Sequence, residues 1–179
     1  ARYRGVGGVG RKLRRGLWKS GGGGGPSDIA VSMVLYHALG SVATILLRES
    51  SGDDAGAAAD PVRASSVVGL LGSLFLKDPT AVLALYGGSF VGMSLPSRLM
   101  NGSVPDNNIR AAQRLQTTAV SLFASFAGAG AMAGLLHAVS IHAGYWNGGW
   151  GGKVGLCAFA GCWVYRGFGN VAQFINRRT

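Results

Sequence analysis

From Ile29 to Leu47 the chain runs for 19 residues without a charge, with Ser27 and Asp28 ahead of it as candidate N-caps and Arg48 and Glu49 closing it. As a helix rising about 1.5 Å per residue, such a run crosses the roughly 30 Å hydrocarbon layer of a bilayer. A second long run, Leu115 to Gly152, is also uncharged, and its Thr118 to Ile141 portion predicts another spanning helix. Between the two the pattern is interrupted. Ala64 to Leu76 and Thr80 to Ser97 are both uncharged, but Lys77, Asp78 and Pro79 separate them. Asp60-Pro61 and Asp78-Pro79 each set a capping acid before a proline that suits a first helical turn, so each predicts a helix start. The region reads as one broken crossing or as a tight hairpin of two helices.

Pro105-Asp106 predicts a further helix start, amphipathic at first through Arg110, Gln113 and Arg114. GYWNGGWGG at 144–152 predicts a turn whose Trp146 and Trp150 suit a membrane interface. Val154 to Tyr165, apolar and aromatic, predicts a last helix, and Arg166, Arg177 and Arg178 leave the C-terminus basic.

Composition narrows the class. Charged residues are 13% of the chain, against about 25% in soluble domains, and Gly accounts for 31 of 179 residues. A hydrophobic fraction of 48% argues against disorder, and the glycines lack the three-residue period of collagen. The expected fold is all-α: a polytopic membrane protein of about four transmembrane helices, alternatively five, with Gly-rich helix packing. Residues 1–27 form a basic arm ending in the Gly21–Gly25 hinge, and 28–179 the transmembrane domain.

Charge placement bears on the count. With four crossings the arm, the Arg98/Arg110/Arg114 loop and the tail share one side, thirteen basic residues in all; with five, nine stand on the arm's side against eight opposite. The positive-inside rule prefers four.

Candidate chemistry is sparse. Cys157 and Cys162 stand five apart, on different faces of a helix, in neither a redox pair nor a zinc pattern. GVGGVG at 5–10 has neither a preceding strand nor a Walker lysine. GLLGSL at 69–74 with SFVGMS at 89–94 resembles GLLHAV at 134–139 with AFAGCW at 158–163. Low complexity accounts for the likeness better than duplication does. His37, near the middle of the first crossing, and His137, near the far end of Thr118–Ile141, are each able to ligate haem or chlorophyll. Their depths differ, and a packed, hydrogen-bonded histidine is expected at each position, with His142 at the interface. No cofactor or metal is expected.

Three spacings remain. Gly88/Gly92, Gly130/Gly134 and Gly151/Gly155 are GxxxG pairs that allow backbones to meet. Arg11, Lys12, Arg14 and Arg15 offer docking to anionic lipid such as cardiolipin or to a partner subunit. With one Tyr and one Trp among residues 1–20, the arm lacks the stacking platform nucleic acid would want. Neither paired carboxylates nor a nucleophile with its base is visible, so no enzyme is expected.

The Arg-rich arm and a first residue that is not methionine suggest an organellar protein. The expected function is a non-catalytic accessory subunit of a large energy-transducing complex, of respiratory-chain or ATP synthase type, in the mitochondrial inner membrane. A thylakoid photosystem subunit is the near variant. The alternative is a small transporter or channel using Ser89, Ser94, Tyr86 and the Lys77/Asp78 break.

Overall fold

In the computed structural model, residues 26–50, 60–99, 111–144, 149–176 and 178 are described, and these contain six helices and no strand. They are α1 (Pro26–Glu49), α2 (Pro61–Phe75), α3 (Pro79–Gly92), the single turn α4 (Pro96–Leu99), α5 (Ala111–Ala143) and α6 (Trp150–Asn176). The arm and its hinge lie outside the described residues.

Both Asp-Pro steps start helices. The Asp60 carboxylate accepts from the Val62 amide at 2.8 Å, and that of Asp78 from the Thr80 amide at 3.1 Å. Each proline sits at the first turn, where its missing N–H costs nothing. Proline also forces the residue before it out of helical geometry, so Asp78 is extended (φ −85°, ψ 116°) and α2 cannot run on into α3. α5 stops at Gly144, whose φ of 68° lies in the left-handed region that glycine occupies freely.

Residue pairings fix how the helices run. Ser65 meets Ser89, Gly69 meets Tyr86 and Gly72 meets Leu85; descending partners make α2 and α3 an antiparallel hairpin. Gly88 lies on the His37 backbone and Gly92 on Ser41 and Thr44, so α3 runs parallel to α1. Gly130 lies on His37 and Gly134 on Met33 and Val34, so α5 is antiparallel to α1. α6 returns antiparallel to α5, with Cys157 near Ser140 and Gly161 on Ala133.

Of the two readings of 64–97, a broken helix and a hairpin, these pairings give the hairpin. The chain turns back at Leu76–Asp78, and Gly92 finishes at the end of the bundle where Pro61 begins. Arg48 closes that end, its guanidinium donating to the Gly92 and Ser94 carbonyls at 2.9 and 3.0 Å. The two stretches that resemble each other fall in two such hairpins, α2–α3 and α5–α6, entered from the same end.

Ile45, Val91, Leu122, Phe126, Ala129, Ala133 and Ala158 form the apolar core beneath that closure. Polar groups are buried with them: His37, Ser41, Thr44, Ser65, Ser89 and His137 are at most 3% exposed. The outside is apolar instead. Val31, Leu35 and Leu39 of α1 are each more than half exposed, as are Leu70, Leu74 and Phe75 of α2 and Phe159, Trp163 and Phe168 of α6. Among the described residues two helical segments, Ser27–Glu49 and Ala119–Ala143, are long and apolar enough to cross a membrane.

Candidate functional site

The deepest polar feature joins α1 to α5. The His37 ring occupies a crevice that exists because α3 carries Gly87 there: a Cβ on Gly87 would lie 2.6 Å from His37 Nε2 and 2.7 Å from Val154 of α6. His37 Nδ1 stands 2.8 Å from the carbonyl of Met33, one turn earlier. Its Nε2 stands 3.3 Å from Nδ1 of His137. The rings meet edge to face, with centroids 5.1 Å apart and an interplanar angle of 77°. Neither residue has exposed surface.

The carbonyl fixes the tautomers, because it can only accept. His37 therefore carries its proton on Nδ1 and, as a neutral ring, presents a lone pair at Nε2; His137 donates into that lone pair from its own Nδ1. The remaining ring nitrogen, His137 Nε2, is left with a lone pair that is buried and has no hydrogen-bond partner.

Each histidine is packed and hydrogen-bonded, as expected, and the structure also brings the two rings together despite their different depths. Their Cα positions do differ: Gly130, not His137, faces His37, and His137 lies two turns further along α5. Side chains on a helix lean toward its N-terminus. On antiparallel helices they lean toward each other, and two imidazoles close the gap. Because the ring edges touch, no flat macrocycle fits between them.

α6 supplies the surroundings. Lys153, in its first turns, is 8% exposed. Ser140, one turn beyond His137 on α5, donates to the His137 carbonyl at 2.8 Å and lies 3.8 Å from the Cys157 sulfur. Both cysteines are free thiols. Among the described residues no three of His, Cys, Asp and Glu stand together as a metal-binding group.

Of the glycine pairs, Gly88/Gly92 and Gly130/Gly134 approach α1 from two sides, and Gly88 and Gly130 both reach the His37 carbonyl. Gly151 and Gly155 have nothing within 4 Å of an added Cβ, so that pair makes no helix contact within the chain. Arg11, Lys12, Arg14 and Arg15 lie outside the described residues.

The transport candidates are not gathered into a path. The Ser89 hydroxyl donates to the Tyr86 carbonyl at 2.7 Å and bonds Ser65 at 2.7 Å. Ser94 lies 3.6 Å from the Cys162 sulfur. Lys77 and Asp78 sit at the hairpin tip, about 16 Å along the α3 axis from Ser89 at 1.5 Å per residue. No protein family, curated protein or solved structure matches the chain.

Proposed function

We propose that the protein is an integral, polytopic membrane protein acting as a non-catalytic accessory subunit of a larger energy-transducing assembly, with the mitochondrial inner membrane as its site. The observation that carries the membrane reading is the inverted distribution of polarity. His37, His137, Ser41, Thr44, Ser65 and Ser89 lie inside, while the outward faces of α1, α2 and α6 present Val, Leu, Phe and Trp. Water would penalise that surface, and a soluble monomer rarely exposes so much contiguous apolar area. In α1, α2 and α3 charges keep to the helix ends, at Asp28, Arg48, Glu49, Asp60, Arg63, Lys77 and Asp78.

Five crossings fit this chain better than four. The hairpin tip supports the count: Pro79 precedes Gly88 by nine residues and Asp28 precedes His37 by nine. Since Gly88 lies on His37 and the helices run parallel, the tip reaches the level at which α1 begins. Five crossings put the basic arm and the C-terminal tail on opposite sides.

The subunit reading is supported by the aromatic outer face of α6, where Phe159, Trp163 and Phe168 offer neighbouring helices a large contact surface. The acid-free run of Arg and Lys in residues 1–19 supports both the organelle and docking to acidic partners or anionic lipid. The separated Ser89, Ser94 and Lys77/Asp78 speak against transport. Mild-detergent extraction of native membranes, followed by native gel electrophoresis, tests the reading. Co-migration with a complex many times 18.3 kDa is expected; a free small oligomer would refute the subunit role, and release by alkaline carbonate would refute membrane integration.

A further inference from the structure

We propose that the last three turns of α6, from Arg166 onward, form an interfacial anchor that lies along an anionic phospholipid surface. α6 leaves the bundle after Cys162 and Tyr165: the Cys162 sulfur stands 3.6 Å from Ser94, at the end closed by Arg48, and Tyr165 lies against Gly128. From Arg166 the helix continues to Asn176, about 15 Å at 1.5 Å per residue. Every residue of that stretch except Gly169 is exposed.

The stretch has two faces. Phe168, Val171 and Ile175 follow one another at steps of three and four, which sets them on one side of a helix, and each is more than half exposed. Arg166, Asn170 and Gln173 follow similar steps on the opposite side, and Arg177 is next in that register. The Arg178 guanidinium lies 4.1 Å from the centre of the Phe174 ring. Gly167 and Gly169 stand at the point of departure. A Cβ on Gly167 would meet nothing within 4 Å, and its φ is not positive, so neither close packing nor backbone conformation asks for glycine there. What glycine supplies is a weak turn at which a helix bends readily, so the tail can incline from the axis of α6.

Position and charge choose the occupant. Val154 to Tyr165 is uncharged, with Phe159 and Trp163 on its exposed face, and Arg166 is the first charge after it; tryptophan followed by arginine suits the level where a spanning segment meets the headgroups. Residues 107–179 contain no acid, which favours phosphate. An apolar stripe opposite a basic polar face is the pattern of helices that bury one side at the acyl boundary and keep their arginines among headgroups. A second copy is a poorer occupant, since a coiled-coil seam is sustained over about three to four heptads and this stripe covers little more than one. The inference rests on the membrane reading above.

The test uses the full chain carrying Cys157→Ser and Cys162→Ser, in nanodiscs of phosphatidylcholine with phosphatidylglycerol and in nanodiscs of phosphatidylcholine alone. Asn170→Cys, Val171→Cys, Ile175→Cys and, on α1, Leu39→Cys each carry a nitroxide. Collisions with oxygen, which partitions into lipid, and with a nickel chelate, which stays in water, locate each label; circular dichroism checks that each labelled chain is folded. In the anionic discs the Val171 and Ile175 labels should favour oxygen and the Asn170 label nickel. Each arginine is worth about fivefold in the docked population, so Arg166→Gln, Arg177→Gln and Arg178→Gln together should lower the ratio of docked to free tail about a hundredfold. Discs without phosphatidylglycerol should lower it likewise. A nickel preference at Val171 and Ile175 in the anionic discs overturns the proposal, because the tail then stands in water. Labels shielded from both probes overturn it as well, because protein, a second copy or an acidic partner, then covers the stripe. Equal docking with and without phosphatidylglycerol, or with and without the arginines, also overturns it. The Leu39 label separates the two readings: lipid at Leu39 with water at Val171 refutes the anchor alone, whereas a nickel preference at Leu39 refutes the crossing itself.

Discussion

Replacing Gly134 with alanine asks how closely α1 and α5 must approach. The added methyl would lie 2.6 Å from the Met33 oxygen and 2.7 Å from the Val34 Cα. Both are backbone atoms and cannot swing aside. Comfortable carbon contacts begin near 3.5 Å, so the seam must open by about 1 Å, a gap that forfeits about a quarter to a half of each dispersion well across it. Forced overpacking of this kind costs about 1–3 kcal/mol. Alanine meanwhile recovers about 0.5–1 kcal/mol of helix propensity. Gly155→Ala on α6 is the matched control, since it gains the same propensity and meets nothing within 4 Å. Subtracting one variant from the other leaves the clash, an expected difference of about 1–3 kcal/mol. SDS-driven unfolding of the full chain in mixed micelles, followed by circular dichroism, measures it. Coincident midpoints for the two variants would refute the claim that backbone contact sets this seam.

Two further outcomes are expected in the same micelles. Ser41→Ala removes the buried hydroxyl that donates to the Phe126 carbonyl at 2.8 Å and should cost about 0.5–1.5 kcal/mol, while Ser66→Ala, whose exposed hydroxyl bonds only its own helix, should leave the unfolding midpoint unchanged. Arg48→Gln removes the donor shared by the Gly92 and Ser94 carbonyls, so hydrogen exchange at the Met93 and Ser94 amides should accelerate; unchanged exchange would mean that Arg48 does not hold this end of α3.

Much of the chain's local structure was legible. The capping acid and proline at 60–61 and 78–79 are short-range signals, and the uncharged stretch 29–47 needs only its length to be read. Direction was less legible. A broken crossing and a hairpin share the same local sequence at Leu76–Asp78, and what separates them is the seating of Gly88 and Gly92 on α1, a contact between segments some fifty residues apart. Gly88/Gly92 and Gly151/Gly155 are spelled alike, yet only the first meets another helix of the chain. A GxxxG pair gives the spacing of small residues and leaves open which side of its helix is covered. The histidine pair was hidden for a different reason. Depth counted along the backbone sets His37 and His137 apart, whereas the opposed lean of side chains on antiparallel helices brings their rings together. The i, i+4 relation of Met33 to His37 was visible, but the ring's need for that carbonyl shows only once the helix is buried.

The α2–α3 hairpin also bears on how such a protein is made. At 15 and 14 residues, neither helix reaches the roughly 20 that a lone spanning segment needs, so in a membrane neither halts a translocating chain by itself. Under the five-crossing proposal they enter as a pair, and the seat for α3 is α1, which is synthesised first. α5 then packs on α1 beside α3, through Gly130 and Gly134, and α6 follows onto α5. Order of synthesis thus becomes order of assembly. A nascent chain stalled before residue 111 would hold α1 with one flank still open, leaving the His37 imidazole without its partner ring as a polar mark by which quality control could recognise an unfinished product.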